Sequence, residues 1–316
     1  MANDYVEVAN VLGMSRDGWL KLRKKYIGGS DAAAAIGLNP WRSPASVWLD
    51  KRSDEVDCSD SMALKLGRYL EDTVVRLFEE ETGKRTKRNN RMMVSTKWPW
   101  MLADIDREIV GEDAILECKT TKGWNRDQWA DGNVPLQYQL QCHHYMAVTG
   151  AKKCYIACLI GLERFAVREI ERDEETVKML VEAEGKFWNL VKTGETPPPD
   201  GSEDYGNLLR ERYKGDDPEP QDLTGEDFDV ARYVKIGETI NALKQEQERL
   251  KQHVQSLMGE HQTAKLKGAI ATWKPTTTRR LNIKALIAGA PSVYERYLRD
   301  IPTRRFVLKT IEEDEQ

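Results

Sequence analysis

Two short carboxylate-bearing segments constrain this chain more than any other feature: Asp104-Ile105-Asp106 and, ten residues later, Glu117-Cys118-Lys119. Met101-Leu102-Ala103 leads into the first and Ala114-Ile115-Leu116 into the second. Both therefore read as strands entering a core, over residues 100–106 and 114–121. Side chains alternate along a strand, so Glu117 and Lys119 share one face while Cys118 points into the sheet. Asp104 and Asp106 would share a face on a continuous strand. Charges set among core-forming residues are not a casual solvated surface. A pair of carboxylates can hold a hard divalent cation. That cation polarises a phosphate and lowers the pKa of an attacking water, and a nearby lysine offsets the developing negative charge. Taken alone, E-x-K reads as readily as a plain ion pair across one strand face.

The surrounding pattern is α/β. Helical periodicity falls at residues 31–36, 43–51 (with Ser43-Pro44 as cap and first turn), 64–83, 136–149 and 174–192. Strand-like segments fall at 154–160 and 163–169. Residues 1–200 thus make one core, a small mixed central sheet flanked by helices. Residues 201–230 carry ten acidic against three basic residues and several breakers, and read as an acidic linker. Residues 231–316 form a helical C-terminal appendage. Ile236, Ile240, Leu243, Gln247, Leu250, Val254, Leu257 and His261 keep the 4-3 spacing of a coiled-coil seam. It can pair within the chain or with a second chain, and a hairpin within the chain is the expected arrangement. From Gln262 to Thr310 there are eleven Lys and Arg against two acids. This basic tail suits phosphate binding, or docking on the acidic linker.

The whole-chain net charge of −4 conceals that segregation. Five cysteines without a CxxC pair, Cys58 among them, read as reduced thiols. His143 and His144 are adjacent and diverge on a helix, so neither zinc nor iron–sulfur ligation is indicated. There is no P-loop, no apolar run long enough to span a bilayer and no signal-peptide pattern. A cytoplasmic protein with no membrane partner is the expectation.

Taken together, the blocks resemble a known family. The order D, ten residues, then E-x-K resembles the PD-(D/E)XK nuclease core, and more closely the YqaJ viral recombinase family, to which lambda-type exonuclease belongs. Trp19 to Arg23 with Ile27-Gly28-Gly29-Ser30-Asp31-Ala32-Ala33, then Gly67 to Glu71, then the two carboxylate strands, and Pro135 to Gly150 follow the family's order. The C-terminal segment from Ala271 to Phe306 also looks like that of phage members. The resemblance implies a restriction-endonuclease-like core in which Asp106, Glu117 and Glu71 bind Mg²⁺ (Mn²⁺ as substitute) and Lys119 is the catalytic lysine. Gln141 and Tyr145 would serve the same site, with Asp104 a second candidate ligand. Glu71 also fits a solvated helix acid paired along its own helix. Arg23 and Ser30 would hold a 5′-phosphate, as a guanidinium, a hydroxyl and glycine-exposed amides can. Ser30 or Asp31 can equally cap the helix. Lys122 and Arg126 are further candidate phosphate contacts, and His143 either a DNA contact or a plain helix residue.

The implied activity is Mg²⁺-dependent digestion of linear double-stranded DNA from its ends, 5′→3′. It would leave 3′ single strands for a RecT-like or lambda Beta-like single-strand annealing protein in phage recombination. A phage or mobile-element protein acting in the host cell, assembled as a homo-oligomer such as a trimeric ring, goes with that resemblance. The alternatives are an endonuclease or repair nuclease of the same superfamily, or a non-catalytic DNA-binding scaffold.

Overall fold

Two units make up the computed structural model, Met1–Lys214 and Gly215–Gln316; residues 4–56, 61–161, 163–226, 228–300 and 304–310 are described. The first unit begins β1 (Tyr5–Asn10), α1 (Arg16–Lys24), β2 (Ile27–Gly28), α2 (Gly29–Ala35), α3 (Pro44–Arg52) and α4 (Met62–Thr82). There follow β3 (Thr86–Arg88), β4 (Arg91–Ser95), β5 (Met101–Ala103), β6 (Arg107–Ile109) and β7 (Ala114–Thr121). A 3₁₀ segment at Gly123–Gly132 leads to α5 (Leu136–Thr149), β8 (Lys153–Ile160), β9 (Arg164–Glu171), α6 (Glu174–Thr193) and α7 (Glu203–Arg212).

Local chemistry sets the ends of these elements. Ser15, Ser43, Ser61 and Asp173 accept backbone N–H bonds at the starts of α1, α3, α4 and α6. Gly83 and Gly150, at φ +69° and +80°, end α4 and α5.

The strands form two sheets in this unit, ordered β1-β4-β5-β2 and β3-β6-β7-β8-β9. In the second, β7 and β8 run parallel with Glu117 opposite Ile156, and the other pairs are antiparallel. The connection from β7 through α5 to β8 is the helical crossover that a parallel pair requires. Alternation on β7 holds as read from sequence. Ala114, Leu116 and Cys118 join Val74, Val75 and Phe78 of α4 in one cluster, while Ile115 joins the cluster that contains Cys142, Tyr145 and Met146 of α5. Phe78, fully buried, lies 5.6 Å from the Tyr155 ring; a side chain of that kind contributes about 1.5–3 kcal/mol on burial. Helix α5 is buried over nearly its whole length and packs on β4 and β5 as well as β8, so it touches both sheets.

Three expectations need correction. Residues 100–106 are not one strand: the chain leaves the first sheet at Ala103 and enters the second at Arg107, so Asp104 and Asp106 lie in the crossing segment. The acidic stretch is not all linker, because α7 packs on α3 with Leu208 fully buried, and Asp204 accepts bonds from the Ser43 amide and hydroxyl at 3.2 and 3.0 Å. An apolar residue at the right period outweighs the surrounding acidity.

The second unit comprises α8 (Val230–Met258), the hairpin β10 (Thr263–Leu266) and β11 (Ala269–Thr272), α9 (Ile283–Gly289) and α10 (Pro291–Tyr297). Here lies the third correction: among the described residues no other helix of this unit packs along α8, so no described helix closes the seam as a hairpin. Arg304 donates to the Gly215 carbonyl; among the described residues of this unit no basic side chain of the tail pairs with a carboxylate of residues 215–230. No described helix is long and apolar enough to cross a membrane. Cys118, Cys142, Cys154 and Cys158 are free thiols, and Cys58 lies outside the described residues.

Candidate active site

A cleft of about 620 Å³ opens over the crossing between the sheets. Arg23, Ser30, Glu71, Asp104, Asp106, Gln141 and Tyr145 line it together. Four helices, α1, α2, α4 and α5, and the crossing segment therefore bring residues separated by more than a hundred positions into one space.

The crossing segment presents its two aspartates differently. Asp106 accepts the Cys118 backbone N–H at 2.7 Å, which ties it to the middle of β7. Asp104 accepts the Trp19 indole N–H at 2.7 Å. Glu117, buried on β7, accepts from Lys119 Nζ at 2.5 Å and from Gln141 Nε2 at 2.7 Å. Gln141 in turn accepts from Lys119 at 2.9 Å and donates to the Tyr145 hydroxyl at 3.2 Å. Lys119 also lies over the Tyr138 ring at 5.0 Å. Glu71 reaches the cleft from α4. Its partners are Arg107 at 2.8 Å and Arg88 at 3.7 Å, not an arginine of its own helix, so the reading as a solvated helix acid is not what the fold displays.

Electrostatics follow from this crowding. Burial raises the Asp106 carboxyl well above its usual range, and repulsion from Glu117 and Glu71 adds to it. Burial likewise raises Glu117; Lys119 opposes the rise, and Glu71 and Asp104 reinforce it. Burial disfavours the Lys119 ammonium, but Glu117, then Asp106, hold it above the ordinary lysine range, so it is charged at neutral pH. The Tyr145 hydroxyl is pushed well up by burial, then by Glu117 and Asp104, and is therefore neutral.

This donor set suits a hard cation: it is all oxygen, and a cation removes the repulsion between Asp106 and Glu117. Among the described residues no three His, Cys, Asp or Glu are gathered into a ready-made cluster. One or two carboxylates suffice for an ion that keeps several waters. Asp106 and Glu117 are the residues that could hold it, with Asp104 and Glu71 lining the same cleft as Asp106.

In the same cleft, Arg23 donates to the Ser30 hydroxyl at 2.7 Å and lies 4.7 Å over the Trp19 ring. The two glycines before Ser30 allow this approach. A Cβ on Gly28 would stand 2.6 Å from the Arg23 guanidinium, and one on Gly29 would stand 2.3 Å from the Tyr145 ring. Helix α2 begins at Gly29, and Asp31 reaches back to the Gly28 N–H at 3.3 Å; Ser30 is thus left to Arg23 and does not cap. Asp31 is buried against Lys51 at 2.7 Å, Arg42 at 2.5 Å and Arg23 at 3.4 Å. Burial opposes its charge, but Lys51, Arg23 and Arg42 bring its carboxyl well below the usual range.

Lys122 and Arg126 are not brought into the cleft. Both are exposed around the start of the 3₁₀ segment, Lys122 over the Trp124 ring at 4.8 Å and Arg126 beside Asp127 at 3.5 Å. His143 is a buried helix residue whose imidazole is lowered by burial. Arg16, Arg68 and Arg88 line the cleft without having been singled out as site residues; only the helix block containing Arg68 gave any signal. Reading missed His144 as well. It is fully buried between Glu184 at 2.8 Å and the Leu102 carbonyl at 3.1 Å. A carbonyl only accepts, so Nε2 donates and anchors β5 just before Asp104.

A family model described as the YqaJ-like viral recombinase domain matches residues 18–152. The chain is 38% identical over 304 residues to the uncharacterized protein YqaJ of Bacillus subtilis strain 168, covering 94% of this chain and 95% of that one. Among solved structures, it is similar to an alkaline exonuclease of Laribacter hongkongensis at TM-score 0.50 and 16% identity, over 63% of this chain and 98% of that one. The same enzyme in complex with dAMP gives TM-score 0.50 and 18% identity with the same coverage. At such identities the likeness is one of fold.

Proposed function

The chain belongs to the YqaJ-like viral recombinase family, and from that premise we propose that it is a divalent-metal-dependent exonuclease acting on the ends of linear double-stranded DNA. The observation that carries this reading is the single cleft lined by an anion-binding pair, Arg23 and Ser30, and by the carboxylates Glu71, Asp104 and Asp106. A terminal phosphate held by Arg23 and Ser30 places a phosphodiester within reach of those carboxylates. The fold likeness to an alkaline exonuclease supports the same reaction class.

Mg²⁺, with Mn²⁺ as substitute, is the ion proposed, held by Asp106 and Glu117 with Glu71 nearby. When bound it supplies Lewis-acid charge at the phosphate and an activated water. The chain's own groups do the rest. Lys119, fixed by Glu117 and Gln141, places a permanent positive charge where negative charge develops. Trp19 and the Cys118 amide hold Asp104 and Asp106 in orientation, so no reorganisation is needed during reaction. Arg23 forks onto the 5′-phosphate beside the Ser30 hydroxyl and sets the polarity as 5′→3′. The 3′-ended strand left behind is the substrate of a single-strand annealing protein of RecT or lambda Beta type.

End-labelled duplexes test this. With Mg²⁺, a linear duplex bearing 5′-phosphates is degraded faster than one bearing 5′-hydroxyls, and a covalently closed circle survives. Efficient cleavage of the closed circle, or digestion indifferent to chelation, refutes the reading.

A further inference from the structure

Helix α8 carries an apolar seam along which, among the described residues, no other helix of its unit packs. Ile236, Leu243, Leu250 and Leu257 occupy d positions of a continuous heptad, and Ile240, Gln247 and Val254 occupy a positions. Leu243 is 65% and Leu257 74% exposed. Over residues 236–257 the helix extends about 32 Å. A stripe of that length and regularity, on an otherwise polar helix, marks an interaction surface.

The flanking charges say what fits it. Lys244 and Lys251 fall at e positions and Glu246 at a g position. In a parallel pair each g residue faces the e residue five positions on in the other chain. Glu246 then meets Lys251 of a second copy, and symmetry makes the contact twice. In an antiparallel pair e faces e, which sets Lys244 and Lys251 of the two chains against each other. β-branched residues at a with leucine at d select two strands, and one polar a residue, Gln247, meets its own counterpart only in the parallel register. Within one chain Glu246 bonds Arg249 and Lys251 bonds Glu248, exposed pairs that exchange at little cost.

We propose that α8 pairs with α8 of a second copy of this chain as a parallel two-stranded coiled coil. This pairing is independent of the nuclease reading: it uses none of the cleft residues.

In the full-length protein, Gln247→Cys forms an interchain disulfide on mild oxidation, and the unsubstituted chain run beside it does not. Adding Leu243→Lys and Leu250→Lys abolishes the crosslink and halves the assembly mass by light scattering, whatever stoichiometry the first unit adopts. Orientation is read by mixing. Chains bearing Gln247→Cys with Glu246→Lys, mixed with chains bearing Gln247→Cys with Lys251→Glu, crosslink into mixed pairs well above the one-half expected at random. No crosslink, random mixing, or an unchanged mass or one reduced to a third after the lysine substitutions overturns the proposal. DNA digestion by the lysine-substituted chain reports that its first unit is folded.

Discussion

Replacing Asp31 with Asn tests whether the helices that carry Arg23 and Ser30 are held in place by a buried charge cluster. Asp31 is nearly inaccessible, and so is Lys51, whose side chain is 1% exposed. Removing one partner of a buried pair costs about 3–5 kcal/mol because the other charge is left uncompensated. The lower end applies here. Lys51 keeps Asp50 at 3.7 Å and the Arg23 carbonyl at 3.2 Å, and Arg42, 32% exposed, keeps Asp50 at 3.4 Å. About 3 kcal/mol corresponds to a drop of roughly 6–12 °C in the melting of a unit this size.

The pH dependence supplies a second readout. The Asp31 carboxyl is lowered in the folded state, so its contribution is present above the unfolded carboxyl pKa and lost as pH falls through the folded one. The wild-type advantage over Asp31→Asn therefore shrinks in strong acid. Burial lowers the Lys51 ammonium despite Asp31, and without Asp31 it falls further. A lysine lowered in the folded state favours folding as pH rises, so the variant recovers part of its loss toward alkaline pH. Melts followed by tryptophan fluorescence between acid and alkaline pH check both signs. A melting change under about 2 °C at neutral pH would show that the cluster is not what holds α1, α2 and α3 together.

Three further outcomes are expected. Gly29→Ala forces a Cβ to 2.3 Å from the Tyr145 ring, an overpacking that costs about 1–3 kcal/mol. Digestion should fall with it, whereas Gly123→Ala, which meets nothing within 4 Å, should leave both melting and digestion unchanged. Arg23→Gln removes a charged donor worth about 1.5–3 kcal/mol, so the ratio of kcat/KM for phosphorylated over hydroxyl ends should fall by roughly 10- to 100-fold. Asp106→Asn should abolish digestion yet raise the metal-free melting temperature, since it removes a buried carboxylate repelled by Glu117; a lower melting temperature would contradict that repulsion.

What the sequence determined by itself was local. Alternation put Glu117 and Lys119 on one face of β7 and Cys118 on the other, and caps such as Ser43 and Gly150 bounded their helices where the spacing placed them. These follow from backbone geometry within a few residues. The heptad of α8 was equally legible, but that no described helix of its own unit packs along it was not, since periodicity describes a face and not what covers it.

Tertiary structure decided the pairings. Asp104 and Asp106 sit two residues apart, yet one is held by Trp19, 85 positions away, and the other by the Cys118 amide, 12 away. Glu71 met Arg107 across 36 positions instead of an arginine on its own helix. Lys122 and Arg126, just past β7, do not line the cleft, while Arg88 does. A charge carries no directional signal in sequence, because its partner is chosen by whichever element packs beside it. The carboxylates could be read from the chain; which side chains hold them was fixed only when α5 and the crossing segment brought the two sheets together.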